Sequence, residues 1–148
     1  MGPRLVEQLR RALEAREEVL FAYLFGSRAS GRTHLHSDVD VAVYSEPRSL
    51  DRLDRAAPWG YVAEVSGRLS EALETDDLNV VILNHAPPLL ADRVARNGYL
   101  LFSRDESRRQ RWIVETKSRY CDLAFLRRQL RRGLMERVRT GRFGARTE

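Results

Sequence analysis

The stretch that decides the fold runs from residue 19 to residue 44. It opens with Val19-Leu20-Phe21-Ala22-Tyr23-Leu24-Phe25 and breaks at Gly26-Ser27-Arg28-Ala29-Ser30-Gly31. It resumes with Ser37-Asp38-Val39-Asp40-Val41-Ala42-Val43-Tyr44. Seven consecutive apolar residues suit a strand buried on both faces. They fall far short of the roughly 20 that a membrane helix needs. The second segment alternates polar and apolar at its start and reads as another strand, closed by Glu46-Pro47. A buried strand, a Gly-Ser turn and a second strand carrying Asp-x-Asp therefore follow one another in order.

The remaining elements are read outward from this pair. Leu5, Leu9 and Leu13 recur every four residues and predict a helix over 4–17. Val62, Val65, Leu69 and Leu73 predict another over 59–74, and 78–83 reads as a third strand rich in Val and Ile. Pro87-Pro88 opens a short helix that stops at Asn97-Gly98, and 99–102 reads as a short fourth strand. A long helix follows, over 105–139, with a stripe of Trp112, Thr116, Tyr120, Leu123, Leu126, Leu130, Leu134 and Val138. The class is α/β with a helical C-terminal extension. The division is 1–103 for the α/β part and 104–148 for a basic helical extension, belonging to the same compact unit.

Composition bounds the partners. The 148 residues are 43% apolar and 32% charged, which argues against wholesale disorder. The net charge of +5 is unevenly spread: residues 1–102 hold 12 basic and 15 acidic residues, whereas 103–148 hold 14 and 6. Lys117 is the only lysine, so the positive charge is almost wholly guanidinium. Cys121 is the only cysteine, which excludes an internal disulfide framework. No signal-peptide core precedes the first acid, and the expectation is a soluble, cytoplasmic protein with no membrane association.

The chemistry is read from the turn and the acids. A Gly-Ser turn leaving a buried strand presents free backbone N–H groups and a hydroxyl that suit phosphate oxygens. Asp38 and Asp40, two apart on a strand, project from one face about 6–7 Å apart at the backbone. Two such carboxylates can hold Mg²⁺ against a triphosphate. Asp-x-Asp alone, or Gly-Ser alone, is most simply a solvated loop or a turn; the ordered combination carries the reading. No Gly-Lys-Ser/Thr follows the turn and no Gly-x-Gly-x-x-Gly is present, so neither a Walker loop nor a Rossmann fingerprint applies.

With this spacing, the sequence resembles the DNA polymerase β-like nucleotidyltransferase superfamily, and within it the minimal nucleotidyltransferases that partner HEPN-domain toxins. The segments Leu83-Asn84-His85-Ala86-Pro87-Pro88-Leu89-Leu90 and Arg96-Asn97-Gly98-Tyr99-Leu100-Leu101-Phe102, and the helix from Arg104-Asp105, extend the likeness over most of the chain. The resemblance implies a small mixed sheet flanked by helices, Mg²⁺ as cofactor and ATP as substrate. It also implies transfer of AMP to a tyrosine of a partner HEPN ribonuclease, which is thereby silenced in a hetero-oligomer. Gly26 and Ser27 would then hold the nucleotide phosphates with Ser37 beside them, Arg28 would assist with phosphate charge, and Asp38 and Asp40 would bind metal and act in catalysis.

One position departs from the family. Its usual third carboxylate, which ligates metal and serves as general base, falls here on Asn79. An amide oxygen ligates Mg²⁺ weakly and accepts no proton as a carboxylate does. Asp77, two residues earlier on the same strand face, is the candidate substitute, with an exposed turn residue as the plainer reading. Three functions follow: an active AMP transferase antitoxin, a catalytically weak module that neutralises the toxin by contact, or a small-molecule nucleotidyltransferase. The chain is short for the last.

The other conspicuous residues have plainer readings. His34 and His36 are loop histidines that either touch nucleotide or are solvated, and the Arg28–His34 spacing resembles a HEPN motif by accident. His85 reads as a turn residue, Trp59 and Trp112 as core or interface, and Cys121 as packing. Arg127, Arg128, Arg131 and Arg132 form either a solvated helix face or a docking surface for an acidic partner. Few aromatics interleave with them, which ranks nucleic acid lower.

Overall fold

The apolar run of residues 19–25 is an inner strand of the sheet and is covered on both faces. The computed structural model describes residues 2–26 and 38–141. Its elements in order are α1 (Pro3–Glu14), β1 (Val19–Phe25), β2 (Val39–Ser45), α2 (Pro47–Ala56), α3 (Tyr61–Leu73) and β3 (Leu78–Ile82). A 3₁₀ turn (Leu83–His85), α4 (Pro88–Asn97), β4 (Tyr99–Ser103) and α5 (Glu106–Arg139) follow. The strand order is β3-β2-β1-β4. β1 pairs antiparallel with both β2 and β4, and β2 pairs parallel with β3, so the sheet is mixed.

Strand alternation divides the core into two layers. On one face Ala22, Leu24, Val39, Val41 and Val43 meet Leu9 and Leu13 of α1, Leu50 of α2, and Tyr61, Val65 and Leu69 of α3. On the other, Phe21, Tyr23 and Ala42 meet Ala91 and Val94 of α4 and Trp112 of α5. Here Phe21 stacks on Tyr44 with ring centroids 4.7 Å apart, and Trp112 leans on Phe21 and Tyr23 at 5.4 and 5.9 Å. Such aromatic pairs add to simple burial.

Polar side chains fix the ends of the elements. The Asn84 amide accepts from the Ser45 N–H and donates to the Ser45 carbonyl, tying the 3₁₀ turn to the end of β2. The buried Tyr61 hydroxyl is shared with Ser45 Oγ and donates to Glu18; burial pushes its pKa up to about 12 and keeps it a neutral donor. Asp105 caps α5 by accepting from the Arg108 N–H. Arg109 donates to the Tyr23 hydroxyl and pairs with Glu106, which it holds down to a pKa of about 2.

Glu46-Pro47 closes β2 as expected, and Pro47 also starts α2, a helix the sequence reading did not include. Its missing N–H costs nothing there, and the Glu46 carboxylate accepts from the N–H groups of Arg48 and Ser49. Other expectations change. Cys121 is exposed rather than packed. Trp59 is 89% exposed, so it belongs to no core, whereas Trp112 is buried. The stripe on α5 also divides: Trp112 and Thr116 are buried, but Leu126, Leu130, Leu134 and Val138 are all exposed.

Candidate active site

Three strands bring the site together at one end of the sheet. β1 ends at Phe25, which pairs with Asp40 near the start of β2. Asp40 in turn pairs with Asn79 across the parallel β2–β3 ladder. In-register neighbours on adjacent strands share a face, so Asp40 and Asn79 lie together on the α4/α5 side, and Asp38 stands just before β2. Asn79 Nδ2 donates to Asp38 Oδ2 at 3.3 Å and to Asp40 Oδ1 at 3.1 Å. One amide thus uses both of its hydrogens to bridge the two carboxylates. It draws together groups that would otherwise repel.

Gly26 closes the other side. Its φ of 79° is a left-handed conformation that favours glycine. A side chain there would collide directly with the Asp40 carboxylate. The backbone at Gly26 therefore passes directly against the Asp40 carboxylate, closer than any residue with a side chain could. Gly26→Ala is expected to cost about 2 kcal/mol or more, from the left-handed backbone alone plus the overlap. Thermal melting by circular dichroism reads the first effect, and a titration with AMP-PNP should show binding lost. A variant that melts and binds like the wild type would show that the close approach is not needed.

Asp77 does not join the pair. Its carbonyl accepts from the Val39 N–H and its own N–H bonds Thr75 Oγ1, so its backbone serves the β2–β3 junction. Among the described residues no three His, Cys, Asp or Glu are grouped so as to hold a metal. The sequence-predicted Ser27, Arg28, His34, His36 and Ser37 lie outside the described residues. His85, in the 3₁₀ turn, is exposed. The two carboxylates are hard oxygen ligands and suit Mg²⁺ held jointly with substrate phosphates, whereas the Asn79 amide faces them with its N–H groups.

Residues 7–107 match the family model for the polymerase beta nucleotidyltransferase domain. The chain belongs to the polymerase β nucleotidyltransferase family. Among curated relatives of this family, a protein adenylyltransferase MntA of Shewanella oneidensis is 34% identical over 101 residues, covering 68% of this chain and 66% of that protein. A second MntA, from Aphanizomenon flos-aquae, is 35% identical over 81 residues, covering 53% of each. The matched stretch thus spans between half and two thirds of those relatives' length.

Solved structures of the family agree over a longer span. A chain of the crystal structure of a toxin–antitoxin with AMP-PNP superposes with a TM-score of 0.69 at 28% identity, covering 88% of this chain and 98% of that one. A chain of the tri-AMPylated Shewanella oneidensis HEPN toxin in complex with MNT antitoxin gives 0.66 at 26% identity, covering 91% and 99%. The four-stranded mixed sheet, five helices and long α5 are therefore the polymerase β-like nucleotidyltransferase fold expected from the sequence.

Proposed function

We propose that this chain is an Mg²⁺-dependent adenylyltransferase antitoxin of the cytoplasm, which moves AMP from ATP to a tyrosine hydroxyl of a partner HEPN ribonuclease toxin. The observation that carries this reading is the convergence of Gly26, Asp38, Asp40 and Asn79 at one end of the sheet. It gains support from 34% identity to a protein adenylyltransferase and from the likeness to a complex whose HEPN toxin is AMPylated. Residues 1–103 carry the chemistry, and residues 104–148 extend the same compact unit for recognition.

The residues divide the work. Asp38 and Asp40 would hold the metal and Gly26 would face the nucleotide phosphates, with Ser27, Ser37 and Arg28 as the sequence's further candidates for those phosphates. Mg²⁺, when bound, supplies Lewis-acid charge on the phosphate oxygens. The tyrosine oxygen forms a bond to the α-phosphorus, the bond from that phosphorus to the bridging oxygen of pyrophosphate breaks, and pyrophosphate departs. The phenolic proton passes to a carboxylate of the pair or to water, because the Asn79 amide cannot accept it.

Asn79 favours one competing reading, a protein that binds nucleotide and toxin but transfers slowly. Incubation with labelled ATP, Mg²⁺ and a HEPN toxin protein separates the two. Label should appear on the toxin with the wild type. Asn79→Asp should speed it by about tenfold or more, since a placed general base contributes about 10²–10⁴-fold. A silent wild type beside an active Asn79→Asp would make the chain a contact antitoxin.

A further inference from the structure

We infer that the second half of α5 is a docking helix for the acceptor protein, and that it seats a partner with an apolar groove and an acidic rim in front of the carboxylate pair. The inference rests on the function proposed above and assigns the surface that function needs. It begins with one continuous stripe. At about 100° per residue, Trp112, Thr116, Tyr120, Leu123, Leu126, Leu130, Leu134 and Val138 all fall on one side of the helix. The first half of this stripe is buried: Trp112 packs on Phe21 and Tyr23, and Thr116 is 4% exposed. Beyond Tyr120 the same face continues, but Leu126, Leu130, Leu134 and Val138 are 51–65% exposed. A row of large apolar side chains running on past its own core marks an interaction surface.

The fold places that surface. Arg108 reaches the Tyr44 hydroxyl at the far end of the sheet, Trp112 lies over Phe21 and Tyr23, and Arg96 of α4 lies over the Tyr120 ring at 5.3 Å. α4 ends at Asn97, and Tyr99 pairs with Leu24, one residue before Phe25 and its partner Asp40. The helix thus advances from the Tyr44 end toward the catalytic end, on the face that carries Asp40 and Asn79. Residues 121–139 extend about 28 Å farther. The exposed stripe thus projects past the catalytic end of the sheet, from the face that carries the reacting groups.

Charge decides the occupant. Residues 121–139 hold six arginines and two acids, and none of those arginines forms an ion pair among the described residues. Arg127 and Arg137 fall among the apolar side chains of the stripe and Arg131 at its edge, while Arg128, Arg132 and Arg139 lie on the opposite side of the helix. A second copy would set arginine against arginine. A nucleic acid would leave four large apolar side chains in water. An acidic-rimmed apolar groove satisfies both features, and Arg is enriched at such contacts. Gly133, at the edge of the stripe where an added Cβ would meet nothing, lowers the helix's own stability by about 1 kcal/mol relative to alanine.

The test uses the full chain, a HEPN toxin protein, and AMP-PNP in place of ATP. Leu130→Asp with Leu134→Asp should weaken toxin binding by about a hundredfold, and Arg127→Glu with Arg131→Glu by about tenfold or more. Arg128→Glu with Arg132→Glu, on the far side, should change it by less than about threefold. AMP-PNP affinity and melting temperature should hold throughout. Stripe variants that bind toxin like the wild type overturn the docking surface alone. A wild type that binds AMP-PNP but no HEPN protein overturns the proposed function as well. Stripe-dependent homodimerisation in sedimentation, or stripe-dependent RNA retention, overturns the assignment in favour of that occupant.

Discussion

Replacing Asp40 with alanine is expected to reduce AMP transfer by about 10³-fold while leaving the melting temperature unchanged or slightly raised. The loss follows from position. Among the described residues Asp40 receives a hydrogen from Asn79, shares that amide with Asp38, and lies where a side chain on Gly26 would fall. Losing a group that stabilises charge on a transferring phosphoryl costs orders of magnitude. The stability follows from the same geometry. Two carboxylates held by one amide repel each other, and removing one relieves that repulsion; active sites commonly sacrifice stability in this way. The measurement pairs label transfer with a thermal melt. Gly26→Ala acts on the same contact with the opposite sign for stability, so Gly26→Ala and Asp40→Ala combined should melt higher than Gly26→Ala alone. A double variant that is merely additive would show that the overlap is not the source of the strain.

What was legible in the sequence was what local pattern determines. β1 was readable because seven unbroken apolar residues can be buried only in the middle of a layered structure, and it lies between β2 and β4 with helices on both faces. The pair Asp38 and Asp40 was readable because period-two alternation places both on one face whatever the partner strands do. The role of Asn79 was half readable. Its position could be counted, but the bridge it makes depends on the β2–β3 register, which no local signal encodes.

α2 was missed because only Leu50 of its ten residues is buried and Pro47 reads equally as a strand stop; the signal that could have found it was an acid directly before a proline, a capped helix start. The Asn84 clamp on Ser45 and the Phe21–Tyr44–Trp112 cluster join residues far apart in the chain and needed the fold. On α5 the stripe was correctly placed, but periodicity reports only which face is apolar. It does not report whether anything covers that face.

Trp112→Ala is expected to lower stability by about 3–5 kcal/mol, a large share of what a domain of this size possesses. Trp112 is the main apolar side chain by which α5 holds the sheet: it is 6% exposed and closes the cluster formed with Phe21 and Tyr23. Thr116, the other buried residue of α5, is small and polar and cannot make up the loss. Other ties are the half-buried Ile113 against the same cluster, the Arg109 hydrogen bond to Tyr23, the Arg108 bond to Tyr44 and the Arg96 contact with Tyr120; the polar ones are weak. They lie at partly exposed positions where single polar contacts are worth about 1 kcal/mol. The melting temperature should fall by about 10 °C or more. Amide exchange in α5 should accelerate before that in β1 and β2, because the helix loses its anchor while the α1/α3 side of the core is untouched. A fall under about 2 °C would mean that α5 is held by its polar contacts instead. Transfer to the toxin should decline more than AMP-PNP binding does, because the nucleotide site lies on the strands and the docking stretch is aimed by α5.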